Sequence, residues 1–217
     1  MPVQIIPTIL TADFDEFEDE LKKIEHVAPW VQIDYVDGFF APEVSCCEAH
    51  IIREIDTEAS LEVQLMVVDP IRQVKAWANA GVDRIIGHIE KMEDQVEFVE
   101  RVSEHGLGVG LAMNIDTSLR KIDEAIIHSI DMVLLMAHEV GIQGGLELDD
   151  AIYDRIKYFR DLDEDLEIEI DGGVNADNAP KLVEAGATML AVGSYIFAAD
   201  DPAGAYTKLE ALVNPSE

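Results

Sequence analysis

Short runs of β-branched and aliphatic residues alternate with longer amphipathic segments from one end of the chain to the other. The runs Val3–Ile9, Trp30–Tyr35, Leu61–Met66, Arg84–His88, Gly108–Met113, Asp131–Met136, Leu166–Ile170 and Met189–Val192 read as strands. Helical patterns follow most of them. Over Phe14–His26, for example, Phe14, Phe17, Leu21 and Ile24 recur at three- and four-residue steps on one face. Strand and helix alternating eight times allow an open doubly wound sheet or a closed barrel. The repeat is regular at roughly 25 to 30 residues, which suits closure. No Gly-x-Gly-x-x-Gly turn follows the first strand, and the glycine-rich turns come late, after strands six, seven and eight. The expected fold is therefore α/β, a single (β/α)8 TIM barrel forming one domain over residues 1–217.

At 217 residues the chain can bury a substantial core, and 48% hydrophobic with only 6% aromatic residues suits Val-, Ile-, Leu- and Ala-rich strands and helices. Charge changes the picture more. Against 45 Asp and Glu stand 15 Lys and Arg, a formal net charge of -30. Such a field repels nucleic acid and slows an anionic substrate unless salt shortens the Debye length to roughly 3 Å near molar strength. Either a high-salt cytoplasm or simple solvation of helix faces accounts for it. No apolar stretch approaches the roughly 20 residues that span a bilayer, so a cytoplasmic protein with no membrane partner is expected. The two cysteines, Cys46 and Cys47, are adjacent, which suits a reducing compartment. With His50 they form a Cys-Cys-x-x-His fragment, which reads more readily as a helix start than as a metal site.

Candidate chemistry gathers at the ends of the late strands. The turns are Gly141-Ile142-Gln143-Gly144-Gly145, Asp171-Gly172-Gly173-Val174-Asn175 and Gly193-Ser194. Glycines let backbone approach a ligand, and helix-opening N–H groups offer donors to a phosphate without Lys or Arg. Asp34 ends strand two and Asp171 ends strand seven. Counted through strands one and eight they stand three strands apart, so they face each other across the mouth. Opposed carboxylates can take a proton from one face of a carbon and return one to the other. A turn role for Asp34 and a helix cap for Asp171 are the simpler alternatives.

The segments Ile6-Pro7-Thr8-Ile9-Leu10-Thr11-Ala12-Asp13-Phe14, Ile33-Asp34-Tyr35-Val36-Asp37-Gly38, Gln64-Leu65-Met66-Val67, Glu169-Ile170-Asp171-Gly172-Gly173-Val174 and Gly193-Ser194-Tyr195-Ile196-Phe197 resemble the ribulose-phosphate 3-epimerase family in order and spacing. The resemblance implies metal-assisted interconversion of ribulose 5-phosphate and xylulose 5-phosphate through an enediolate. It implies Asp34 and Asp171 as the acid/base pair and Thr8 at a substrate-contacting serine position. It also implies Gly141 to Gly144, Gly172, Gly173, Gly193 and Ser194 as phosphate turns, Met66 in an apolar floor, and a homo-oligomer. A small phosphorylated sugar is the implied partner.

Two positions depart from that pattern. The family's metal-binding histidines are replaced by Gln32 and Gln64. Gln32 lies two residues before Asp34 and shares its strand face. Amide oxygens of both glutamines, with Asp34 and Asp171, would form an all-oxygen site favouring Mg²⁺ or Mn²⁺ over Zn²⁺. A metal-free site is the second reading, with the amide N–H₂ groups donating to the enediolate. The third is a non-catalytic sugar-phosphate-binding barrel. Loop six, with His138, Gly141 and Gln143, also resembles hexulose-phosphate synthases. Such a lyase needs an Asp-x-Lys-x-x-Asp cluster, and Glu62-Val63-Gln64-Leu65-Met66-Val67 stands there instead. His138 reads most simply as a loop residue bonded to Glu139 or solvent. His88 with Glu90 matches the family's His-x-Glu and reads as a supporting pair. Met66, Met113 and Met136 read as core, and Trp30 and Trp77 as packing helices onto the barrel.

Overall fold

A computed structural model describes residues 2–42, 45, 47–138, 140 and 147–215. Eight parallel strands close into a barrel in sequence order. They are β1 (Gln4–Ile9), β2 (Trp30–Val36), β3 (Ser60–Met66), β4 (Arg84–His88), β5 (Gly108–Met113), β6 (Met132–Met136), β7 (Glu167–Asp171) and β8 (Met189–Val192). The helices are α1 (Phe14–Ile24), α2 (Ala49–Ile52), α3 (Pro70–Ala80), α4 (Gln95–Ser103), α5 (Ala151–Leu162), α6 (Ala179–Ala185), α7 (Ser194–Phe197) and α8 (Pro202–Val213). The expected strand positions hold, with ends shifted by about a residue, a scatter typical of fraying boundaries. Between β5 and β6 the crossover is made by two 3₁₀ turns, Leu119–Lys121 and Glu124–Ser129, in place of an α-helix.

Local chemistry starts the helices where the pattern requires. Asp13 accepts from the Glu16 N–H at 3.1 Å, the first turn of α1 carries Asp15 and Glu16, and the last carries Lys22 and Lys23. Cap and dipole thus agree. Asp69-Pro70 and Asp201-Pro202 repeat one device: a capping aspartate, then a proline whose missing N–H costs nothing in the first turn. The buried face of α1, Phe17, Leu21 and Ile24, packs on the barrel, each residue worth about 1.5–3 kcal/mol of burial.

Alternation along each strand divides the apolar residues between two cores. Ile33, Val63, Ile85, Leu111, Val133, Ile170 and Leu190 face outward and pack with the helices. Ile6, Ile86, Ala112, Met132, Leu134, Met136 and Met189 cluster inside the barrel. Trp77 packs α3 in the outer layer, edge-on to Tyr35. Trp30 corrects the expectation: it shares the inward face of Gln32 and Asp34, and the Arg84 guanidinium stacks 4.5 Å from its ring centroid inside the barrel. The methionines also divide. Met66 is buried with Leu10, Val36 and Ala41, Met113 lies in the outer layer, and Met136 lies inside.

Candidate active site

Inward positions near the C-terminal ends of β1, β2, β3, β4 and β7 carry Thr8, Gln32, Asp34, Gln64, His88 and Asp171, all of them buried. The register places Thr8 beside Gln32 and Asp34 beside Gln64. Gln32 Nε2 reaches Thr8 Oγ1 at 3.0 Å, Asp34 Oδ1 at 2.8 Å and Gln64 Oε1 at 3.1 Å. The shared face expected for Gln32 and Asp34 is therefore present. Asp34 Oδ1 and Asp171 Oδ2 approach the same terminal atom of Gln64, at 3.1 and 3.0 Å. The two carboxylates thus meet across the mouth.

Burial is the main cause of their perturbed acidity. It pushes Asp34 well above the usual carboxylate range and the charge of Asp171 adds to this, while hydrogen bonds from Thr8 and Gln32 oppose it. Asp171 rises to about 7, again mainly from burial, with Gln32 opposing and Glu62 adding. Two such groups side by side hold a proton between them at neutral pH, one serving as acid while the other serves as base.

Among the described residues no group of three or more His, Cys, Asp or Glu side chains is placed to hold a metal ion. A cation here would depend on the amides. With Oε1 inward, Gln64 stands 3.1 and 3.0 Å from the two carboxylate oxygens. Separations near 3.0 Å are the edges of an octahedron with bonds of about 2.1 Å, the geometry of Mg²⁺. Gln32 Oε1 is a buried acceptor lacking a hydrogen-bond partner among the described residues, and so is a fourth candidate ligand. The donor set fits a hard, oxygen-seeking cation.

The glycine turns adjoin this centre. Gly172 has φ +115°, and a Cβ there would lie 2.6 Å from the His138 ring, which packs against it. Only glycine suits that position. The carbonyl of Gly173 accepts from Asn175 Nδ2 at 3.0 Å and Asn178 Nδ2 at 2.9 Å, which fixes the turn after β7. The helix after that turn begins only at Ala179, so Gly172 and Gly173 lie in a loop and not at a helix start. A Cβ on Gly193 would meet the Thr8 carbonyl at 3.3 Å, and α7 opens directly at Ser194, leaving N–H groups without helical acceptors. Met66 lies at the end of β3, two residues beyond Gln64. Gly141, Ile142, Gln143 and Gly144 lie outside the described residues, as does Cys46. Cys47 is buried in the outer core whereas His50 is exposed and pairs with Glu48 at 3.3 Å.

Two features escaped the pattern reading. Below the centre, Glu62 and Glu169 are fully buried, with Arg84 Nη1 2.7 Å from Glu62 Oε2. Their signal was parity: each lies two residues before Gln64 or Asp171 on an inward face. Beside the centre, Glu90 is tied to three groups. Burial alone would raise it, but His88, Thr117 and the Asn114 N–H outweigh that and hold it at about 2.

A closed parallel barrel with paired acids and glycine turns at the C-terminal ends of its strands defines a (β/α)8 barrel with its site in the usual mouth. The ribulose-phosphate 3-epimerase family model matches residues 4–197, and the chain belongs to that family. It is 33% identical over 207 residues to ribulose-phosphate 3-epimerase of Bacillus subtilis, covering 92% of this chain and 94% of that one. It is 30% identical to the chloroplastic ribulose-5-phosphate-3-epimerase of Arabidopsis thaliana, covering 98% and 78%. Among solved structures, 3-hexulose-6-phosphate synthase from Salmonella typhimurium superposes with TM-score 0.71 at 16% identity, covering 97% and 98%, a likeness of fold alone.

Proposed function

We propose that the chain interconverts ribulose 5-phosphate and xylulose 5-phosphate by moving a proton at C3. The observation that carries this reading is the convergence of Asp34 and Asp171, both buried, on one atom of Gln64. One carboxylate removes the C3 proton, and the electron pair left on carbon passes into the neighbouring carbonyl as an enediolate. The other carboxylate, already protonated, delivers its proton to C3 from the opposite face, inverting it. The reverse reaction exchanges the two roles.

Thr8, Gln32, Gln64 and Met66 line the reacting end in this reading. His138, Gly141, Ile142, Gln143, Gly144, Gly172, Gly173, Gly193 and Ser194 surround the phosphate. Backbone donors suit a chain of net charge -30, because they hold the anion without a cationic side chain. Asp34, Asp171 and Gln64, with Gln32 turned inward, would hold a divalent cation of the Mg²⁺ or Mn²⁺ type. Such a cation, when bound, supplies Lewis-acid stabilisation to the carbonyl and enediolate oxygens. Gln32 Nε2 beside Thr8 otherwise offers a hydrogen bond to the same oxygens.

The test is proton NMR of ribulose 5-phosphate with the protein in D₂O, in high salt, with Mn²⁺ or Mg²⁺ and again with chelator. Xylulose 5-phosphate carrying deuterium at C3 is expected. Folded protein that is thermally stabilised by the sugar phosphate yet incorporates no deuterium would refute the reaction and leave a binding role.

A further inference from the structure

The ring of His88 is buried at the end of β4 and held on three sides. Nδ1 lies 3.2 Å from Glu90 Oε2, the Phe40 ring packs over it at 4.8 Å, and Nε2 lies 3.0 Å from the Gln64 amide nitrogen. Glu90 is itself anchored through its other oxygen, Oε1, which accepts from the Asn114 N–H at 2.8 Å and the Thr117 hydroxyl at 2.5 Å. A carboxylate only accepts, so Nδ1 carries the proton of the neutral ring and Nε2 presents a lone pair.

That lone pair bears on a choice at the centre. The Gln64 carboxamide fits its pocket in two orientations related by exchanging O and N. With nitrogen outward it donates to His88 Nε2 at 3.0 Å and to Met136 Sδ at 3.1 Å, while Oε1 accepts from Gln32 Nε2 at 3.1 Å and faces both aspartates. With nitrogen inward it donates to Asp34 Oδ1 and Asp171 Oδ2, but it then confronts Gln32 Nε2, also a donor, at 3.1 Å, and its oxygen meets His88 Nε2. Two donors face each other in that arrangement, and an oxygen faces a lone pair. The first orientation asks for a cation among three oxygens; the second fills that place with an amide.

We propose that His88, oriented by Glu90, is a positioning residue that turns Gln64 so that Oε1 faces Asp34 and Asp171, creating an oxygen-lined cation site where the side chains alone would close it. The proposal rests on Asp34 and Asp171 being the reacting pair. Removing the Nε2 lone pair leaves the two carboxylates to recruit the Gln64 N–H₂, and the cation position disappears.

Glu90→Gln tests this with almost no change of shape. Asn114 and Thr117 keep the new amide oxygen where Oε1 stood, so its N–H₂ faces His88 Nδ1. The ring proton moves to Nε2, and Gln64 must offer it oxygen. Mn²⁺ alone is titrated into the protein and followed by electron paramagnetic resonance. Glu90→Gln is expected to weaken Mn²⁺ binding about 10- to 100-fold, the usual span for ligand-orienting partners. His88→Leu is expected to act in the same direction. Gln64→Glu carries oxygen at both terminal positions, so adding Glu90→Gln to it should change Mn²⁺ binding less than about threefold, the rescue that an orienting role predicts. Unchanged binding in Glu90→Gln, or an equal loss in both backgrounds, would overturn the proposal. Wild-type protein that binds no Mn²⁺ yet epimerises in chelator would also overturn it while leaving the epimerase reading intact. Protein that binds Mn²⁺ without C3 exchange would remove the epimerase reading, and the same variant series would still decide the orientation.

Discussion

The barrel holds two carboxylate pairs, one above the other, and their surroundings differ. In the mouth, Asp34 and Asp171 contact neutral amides and a threonine hydroxyl and retain a little exposure. Beneath them Glu62 and Glu169 have none, and they share the guanidinium of Arg84, which is stacked on Trp30. Burial raises the acidity constants of both pairs, Glu62 and Asp171 each to about 7. A perturbed carboxylate is therefore no mark of function by itself in this fold. Access distinguishes the pairs: one proton can be exchanged with a ligand in the mouth, the other is sealed.

The sharpest way to break the comparison is to neutralise one member of each pair. Asp34→Asn and Asp171→Asn should each reduce net epimerisation about 10²- to 10⁴-fold, the usual worth of a proton-transferring group. Glu169→Gln should leave turnover within about threefold, because a sealed proton does no chemistry. Equal losses at both levels, measured under saturating substrate, would erase the distinction.

The floor should instead be read out in stability. Arg84→Met removes the only cation beside two buried acids and the stack on Trp30, and is expected to cost about 3 kcal/mol in urea unfolding. The same floor sets a pH dependence. Glu169 lies well above its ordinary 4.5, raised by burial and then by Glu62. Above about pH 4.5 the unfolded chain releases that proton while the folded barrel retains it, so stability falls as pH rises toward the folded value. Glu169→Gln should flatten that decline by up to about 1.4 kcal/mol per pH unit relative to wild type. Parallel stability curves would show that the proton is not held there.

The smallest effect belongs to the rim. Gly172→Ala places a Cβ against His138 at positive φ and should cost about 1 kcal/mol of stability, with KM for the sugar phosphate rising more than kcat falls. An unaltered KM would detach this turn from the phosphate.

Strand alternation made much of this legible in advance. Gln32 and Asp34 share a face because they are two residues apart on β2, and the eight strands were delimited nearly as observed, because β-branched runs and glycine or aspartate boundaries coincide. Trp30 was misplaced because its bulk suggested an outer layer, although its parity with Gln32 pointed inward. Glu62 and Glu169 were passed over for a similar reason: a charged residue within an apolar strand is indistinguishable from a solvated one until a partner such as Arg84 is known. The orientation of Gln64 was beyond pattern altogether, since it depends on Glu90, His88, Asn114 and Thr117 arriving from β4 and from the segments after β4 and β5.

The central claim is that Asp34 and Asp171 act on opposite faces of one carbon, and isotope exchange in the single variants tests it most directly. Each epimer is offered separately in D₂O to Asp34→Asn and to Asp171→Asn, and loss of the C3 proton signal is followed. The account predicts that each variant, though unable to complete epimerisation, still exchanges C3 of one epimer, and that the two variants retain opposite epimers. Exchange of both epimers by either variant, or of the same epimer by both, would contradict it.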